Sequence, residues 1–141
     1  MKNIYKSLAE FQQEVPVIHK GTAGFNYSYA DLPAILDIIN PLLKKHGLGF
    51  FQGVDREVVG ERIITTLRTV VFHIDTGEHI ESITPVPLDV DLGKMNKYQV
   101  MGSGITYIRR YALSSLLGLV TDKDTDAAST TTKSNSSNEP F

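Results

Sequence analysis

Two adjacent arginines, Arg109 and Arg110, stand in a stretch from Leu92 to Val120 that also carries Lys94 and Lys97 and has no aspartate or glutamate. An average domain would place several acids in a run of that length. At helical spacing, Gln99, Ser103, Thr106 and Arg110 fall at i, i+4, i+7 and i+11, a polar stripe flanked by Tyr107 and Arg109. Guanidinium groups pair with phosphates, and hydroxyls and a carboxamide add hydrogen bonds, so the stripe reads as a phosphate track. The competing reading pairs Arg109 and Arg110 with carboxylates on other elements, such as Glu57 or Glu61. Gly102 and Gly104 each cost the helix roughly 1 kcal/mol against alanine, which suggests a close approach to the backbone there.

The elements that must position this stripe follow from periodicity. Met101, Ile105, Ile108, Ala112 and Leu116 form an apolar stripe on the far side of a helix expected over about Lys97 to Leu119. Asn3 to Val15 reads as a first short helix, with Ile4, Leu8 and Phe11 on one side. A loop with Lys20, Phe25, Tyr27 and Tyr29 leads to Asp31, which can cap a second helix ending at Gly47, with a kink expected at Pro41. Three strand-like runs come next, Leu48–Val54, Glu61–Ile74 and Glu78–Thr84, with Asp75-Thr76-Gly77 as hairpin chemistry between the last two. Pro85 and Pro87 end the sheet. The order ααβββα with consecutive strands predicts an α+β fold with an antiparallel three-stranded sheet followed by a long helix.

Within the middle strand, Ile63, Leu67 and Val71 face one side and Arg62, Thr66 and Arg68 face the other. Arg62 and Arg68 are therefore a second set of candidate phosphate contacts, and Lys20 a third. Tyr27, Tyr29 and Tyr107 are candidates to stack on bases, although a buried tyrosine with a satisfied hydroxyl is the commoner case.

The chain has 141 residues, a formal charge of −2, 41% hydrophobic residues and no cysteine. That length suits one domain, and the lack of thiols excludes disulfides and thiolate metal sites or nucleophiles. No apolar run approaches the ~18 residues of a membrane span, and the first fifteen residues are amphipathic, so the expectation is a soluble protein of the cytoplasm. Taken by itself, the weakly acidic total argues against nucleic acid. Its distribution reverses that inference. The segment 121–141 holds Asp122, Asp124, Asp126 and Glu139 against Lys123 and Lys133, and Ala127 to Asn138 is almost all Ser, Thr and Asn. Residues 1–120 are thus expected to fold as a neutral domain with a positive segment, and 121–141 to form an acidic disordered tail.

The aspartates at 122, 124 and 126 resemble carboxylates that hold a cation, and with His73 they would suit a metal-dependent nuclease. They lack the glycine and distal glutamate of an EF-hand loop, and an acidic helix exit needs no metal, so no metal or other cofactor is expected. Glu139-Pro140-Phe141 is similar to the tip of bacterial single-stranded DNA-binding proteins, which docks on partner proteins. No G-x-x-x-x-G-K-[ST] loop for nucleotide phosphates occurs.

Two long segments carry a resemblance to a known family. QVMGSGITYIRRYALSSLLGLVTDKDTDA, Gln99 to Ala127, and YSYADLPAILDIINPLLKKHGLGFFQ, Tyr27 to Gln52, resemble the ERF (essential recombination function) family of phage and prophage single-strand annealing proteins. His73, Thr76-Gly77-Glu78 and Ile80-Glu81-Ser82 are similar to the family's hairpin, with His79 where tryptophan is usual; Gly104 replaces a usual alanine. The resemblance covers roughly residues 3–127 in colinear order. It implies a βββα annealing core that assembles into rings or filaments. It further implies binding of single-stranded DNA along a basic groove and pairing of complementary strands without ATP. In that setting Arg109 and Arg110 hold phosphates, Lys94 and Lys97 close over the strand, and host single-stranded DNA-binding or repair proteins are possible partners. An oligomeric scaffold for an acidic protein is the remaining reading from another class.

Overall fold

A computed structural model describes residues 2–19, 30–89, 91 and 93–121. Helix α1 (Lys2–Glu14) buries Ile4 and Phe11. Helix α2 (Leu32–Lys45) begins at Asp31, whose carboxylate accepts the Ala34 N–H at 3.0 Å, an N-cap that satisfies one of the free amide groups of the first turn. The helix runs through Pro41 as one element and buries Leu32, Ile35, Ile39 and Leu43.

Strands β1 (Leu48–Val59), β2 (Arg62–His73) and β3 (His79–Pro85) form an antiparallel sheet in the order β1-β2-β3. Helix α3 (Lys97–Leu117) starts in a capping box, where Asn96 and Gln99 satisfy each other's backbone N–H groups, and ends at Gly118 in the left-handed conformation. The α+β class and the element order are those read from the sequence.

The main core lies between the three helices and one face of the sheet. Ile4, Phe11, Ile18, Ile35, Ile39, Leu113 and Leu117 are all within 1% of complete burial, and Leu48 and Val71 supply the sheet side. Two long-range ties close it. The Ile4 N–H donates to Glu78 at 2.8 Å, placing a carboxylate at the N-terminal end of α1. The Ile18 N–H donates to the Val120 carbonyl at 2.9 Å, in a short parallel bridge of Ile18 with Thr121. Among the described residues no helix is long and apolar enough to cross a membrane.

The structure corrects one boundary and sharpens two other readings. First, β1 continues five residues beyond Val54, to Val59. The Asp55-Arg56-Glu57 cluster looks like a loop, but each residue pairs with β2, and Gly60, with φ +65°, supplies the turn. β3 reaches only Thr66, so the β1–β2 hairpin projects as a two-stranded arm. Second, Ile63 shares a face with Leu67 and Val71 but lies on that arm, and it is 66% exposed. Third, the apolar stripe of α3 holds except at its start: Ala112 is buried and Ile105, Ile108 and Leu116 pack against buried residues. Met101 is exposed, while Val100, Ala112, Leu113 and Leu117 are buried. The first half of α3 packs on the segment after β3, with Gly104 facing Val86 and the Pro87 carbonyl, whereas its second half packs on the sheet and the other helices.

Candidate nucleic-acid interface

The two neighbouring arginines of α3 part company. Arg109 turns to the sheet: its Nε donates to Gln52 Oε1 at 3.1 Å. The Gln52 carboxamide donates in turn to the Arg109 carbonyl at 3.1 Å and lies 3.0 Å from the Thr69 hydroxyl. Arg110 lies on another side of the helix and is only 7% exposed. Its guanidinium carbon sits 4.6 Å from the Tyr111 ring centroid and 5.4 Å from that of Tyr107. The two rings, tilted by 50°, have centroids 4.7 Å apart. A guanidinium over aromatic faces is held by the ring quadrupoles and keeps its plane fixed.

Arg110 opens into a cleft of about 410 Å³ that Asp31, Leu32, Gly102, Ser103, Thr106 and Tyr107 also line. The structure therefore brings together three members of the predicted stripe, Ser103, Thr106 and Arg110. The Thr106 hydroxyl donates back to the Gly102 carbonyl at 3.0 Å, so its proton is already engaged within the helix. Asp31 adds one carboxylate, already engaged with the α2 N-terminus, so the cleft is mixed rather than uniformly cationic. Gly102 has open space where a Cβ would stand, so at this residue a ligand can come close to the helix backbone.

The other predicted residues fall elsewhere. Gln99 is exposed, with its side-chain oxygen accepting the Asn96 N–H at 2.9 Å in the cap. Lys94 and Lys97 are exposed at the start of α3. Arg62 and Arg68 occupy the face of the sheet turned away from α3, since Thr69, on the opposite face, touches Gln52 beneath the helix. Arg62 is at the end of the arm, and Arg68 forms an ion pair with Glu81 on β3 that holds the Glu81 carboxyl below its ordinary range. None of these joins the cleft. Lys20, Tyr27 and Tyr29 lie outside the described residues, as do Asp122, Asp124, Asp126 and Glu139, Pro140 and Phe141. His73 shares a 2.8 Å hydrogen bond with Thr76 inside the β2–β3 turn. Among the described residues no group of three or more His, Asp or Glu side chains could hold a metal ion.

Tyr98 and Tyr111 were not singled out by sequence. Tyr98 is 86% exposed at the first turn of α3. Tyr111 is recognisable only through its spacing, four residues after Tyr107 and beside Arg110, which stacks the three side chains on one helix surface.

The ERF superfamily model matches residues 4–140. The essential recombination function protein of Salmonella phage P22 is 30% identical over 129 residues, covering 89% of this chain. The chain spans 60% of the length of that relative. No solved structure matches. With the family's pattern continuous from the first helix to beyond the last, the chain belongs to the ERF superfamily.

Proposed function

We propose that this chain is a recombination module that binds single-stranded DNA and anneals complementary strands without ATP. The Arg110 cleft carries this reading. A buried guanidinium held against two tyrosine rings, beside the Ser103 hydroxyl, suits a phosphate with a base against an aromatic ring. Lys94 and Lys97 at the helix entrance extend the positive surface, and Arg109 contributes from the flank while bracing α3 on the sheet. Phosphate contacts hold a strand without reading its sequence, which leaves bases free to meet a complement. The phage relative, an essential recombination function protein, supports a role in recombination.

Each subunit offers few cations, so useful affinity requires several copies along one strand. The projecting arm supports such an assembly, as a ring or filament. Val58, 73% exposed, stands opposite Ile63 on it, and a two-stranded hairpin with bare apolar side chains is only marginally stable in water without cover. The annealing unit comprises residues 1–120, with 121–141 as an acidic segment whose Glu139-Pro140-Phe141 motif suits a host repair or single-stranded DNA-binding protein. In this reading the protein is not an enzyme and acts in the host cytoplasm.

The test is oligonucleotide binding by Arg110→Ala and by Lys94→Ala/Lys97→Ala over a salt series, beside annealing of complementary strands without nucleotide. Each lost phosphate contact reduces the salt slope by about one. Folded variants with unchanged affinity and slope would refute the site.

A further inference from the structure

The face of the sheet turned away from the helices carries a second cavity, of about 460 Å³, lined by Phe51, Arg68, Val70, Phe72, Gly77 and His79. Its size lies within the range of about 300–1,000 Å³ usual for small-ligand sites. Val70 is its closed floor, only 3% exposed, and Phe51 stands half exposed at its wall. Phe51 is isolated along its own strand, because Gly49 and Gly53 are the residues two before and two after it on the same face. The two glycines serve different ends. A Cβ at Gly49 would stand 2.5 Å from the Phe72 ring, so the missing side chain lets that ring lie down against β1. A Cβ at Gly53 would meet nothing within 4 Å, so the other side of Phe51 is open. The Phe51 and Phe72 rings sit 6.1 Å apart at 38°.

Four planar π groups thus surround one shallow cavity: two phenyl rings, the His79 imidazole and the Arg68 guanidinium. We infer that this sheet face is a second site for single-stranded DNA, one that holds unstacked bases by stacking. The inference rests on the proposed DNA-binding function and adds to it a site that the α3 cleft does not include. The chemistry favours bases over a protein helix. Phenyl, imidazole and guanidinium planes are the groups on which proteins stack splayed bases, and Gly53 keeps clear a space for a flat ligand. Arg68 stays half exposed beside Glu81, so its charge is nearly cancelled locally. This second site is therefore selective for bases and weakly dependent on salt, whereas the α3 cleft depends on phosphates and strongly on salt.

The experiment compares the full chain with Phe51→Ala, Phe51→Tyr and Arg110→Ala. The probes are a thymidine oligonucleotide and an abasic strand of the same length, which keeps the phosphates and lacks the bases. Wild type should prefer the base-bearing strand. Phe51→Ala should lose about fivefold to a hundredfold of that preference, the range of one stacked base, with the abasic strand bound as before. Phe51→Tyr, which keeps a ring, should retain it. Arg110→Ala should weaken both strands. A folded Phe51→Ala protein that keeps the wild-type preference overturns the second site and leaves the α3 cleft standing. So does one whose only change is particle size, since the face would then be a contact between subunits. If the wild-type chain binds neither strand, the DNA-binding function itself fails and this site with it.

Discussion

Gln52 and Arg109 grip each other through two hydrogen bonds, side chain to side chain and side chain to backbone, both at 3.1 Å. One carboxamide on β1 thereby fixes the position of α3 over the sheet and the direction of an arginine. Gln52→Leu fits the volume but takes the partner from the fully buried Thr69 hydroxyl and from Arg109 Nε, while the Arg109 carbonyl keeps its helical bond. The expected cost is about 1–3 kcal/mol, the penalty for an unsatisfied buried polar group, read from urea denaturation. Unchanged stability would mean that the pair is incidental to the docking of α3.

Arg110→Lys retains the charge and discards the plane. If the tyrosine stack holds the guanidinium for phosphate binding, lysine will not replace it. Affinity for a single-stranded oligonucleotide should fall by about 1–2 kcal/mol, while thermal stability changes less than in Arg110→Ala. Equal affinities for the Arg and Lys proteins would reduce the site to a point charge.

Gly104→Ala should stabilise the protein. A Cβ there would stand 3.4 Å from Val86 Cγ1 and 3.5 Å from the Pro87 carbonyl, ordinary contacts. The gain in helix propensity is up to about 1 kcal/mol. Gly102→Ala should gain similarly in stability, yet impair DNA binding, because its Cβ would enter the cleft. Thermal melts and binding on the two variants separate packing from ligand approach.

Acid should loosen α1 at its start. The Ile4 N–H, first, and then the chain's amino terminus and His73 hold the Glu78 carboxyl below the ordinary range. A carboxyl depressed in the folded state stabilises above its unfolded value, and that contribution fades as pH falls through the folded one. Glu14, held down chiefly by Lys45 and also by His46, acts in the same direction. Melting temperature should therefore decline below the ordinary carboxylate range, and Glu78→Gln should flatten part of that decline. An identical acid profile for Glu78→Gln would remove Glu78 from the account.

Val58→Asp/Ile63→Asp places charges on the exposed face of the arm, away from every core residue. Light scattering should report smaller particles than wild type, with the circular dichroism of the fold preserved. Annealing should drop with the assembly. Particles of wild-type size would show that copies meet elsewhere.

Element order, the α2 cap and the β2–β3 turn were readable because each depends on neighbours within a few residues, as with Asp31 and Ala34. The directions of Arg109 and Arg110 were not. A helical wheel assumes one packing surface along a helix, whereas α3 rests first on Val86 and Pro87 and then on the core, and the buried side turns between them. The arm was missed for a related reason: the pairing of Asp55-Arg56-Glu57 is stabilised by backbone ladder bonds to β2, which leave no trace in local hydropathy. Of the cleft, Ser103, Thr106 and Arg110 were legible by spacing, while Asp31 arrived from a distant helix start that no local pattern connects to them.

The bridge between Ile18 and Val120–Thr121 gives the molecule a mechanical layout. Tension applied to the chain beyond Thr121 meets that bridge, and the buried Ile18 and Leu119, before it reaches α3. Gly118 ends the helix just short of the anchor, with its own N–H and that of Leu119 both held by the Ser114 carbonyl. A second protein that seized the acidic segment would tow the whole core by its hydrophobic centre, without unwinding the helix that bears the arginines.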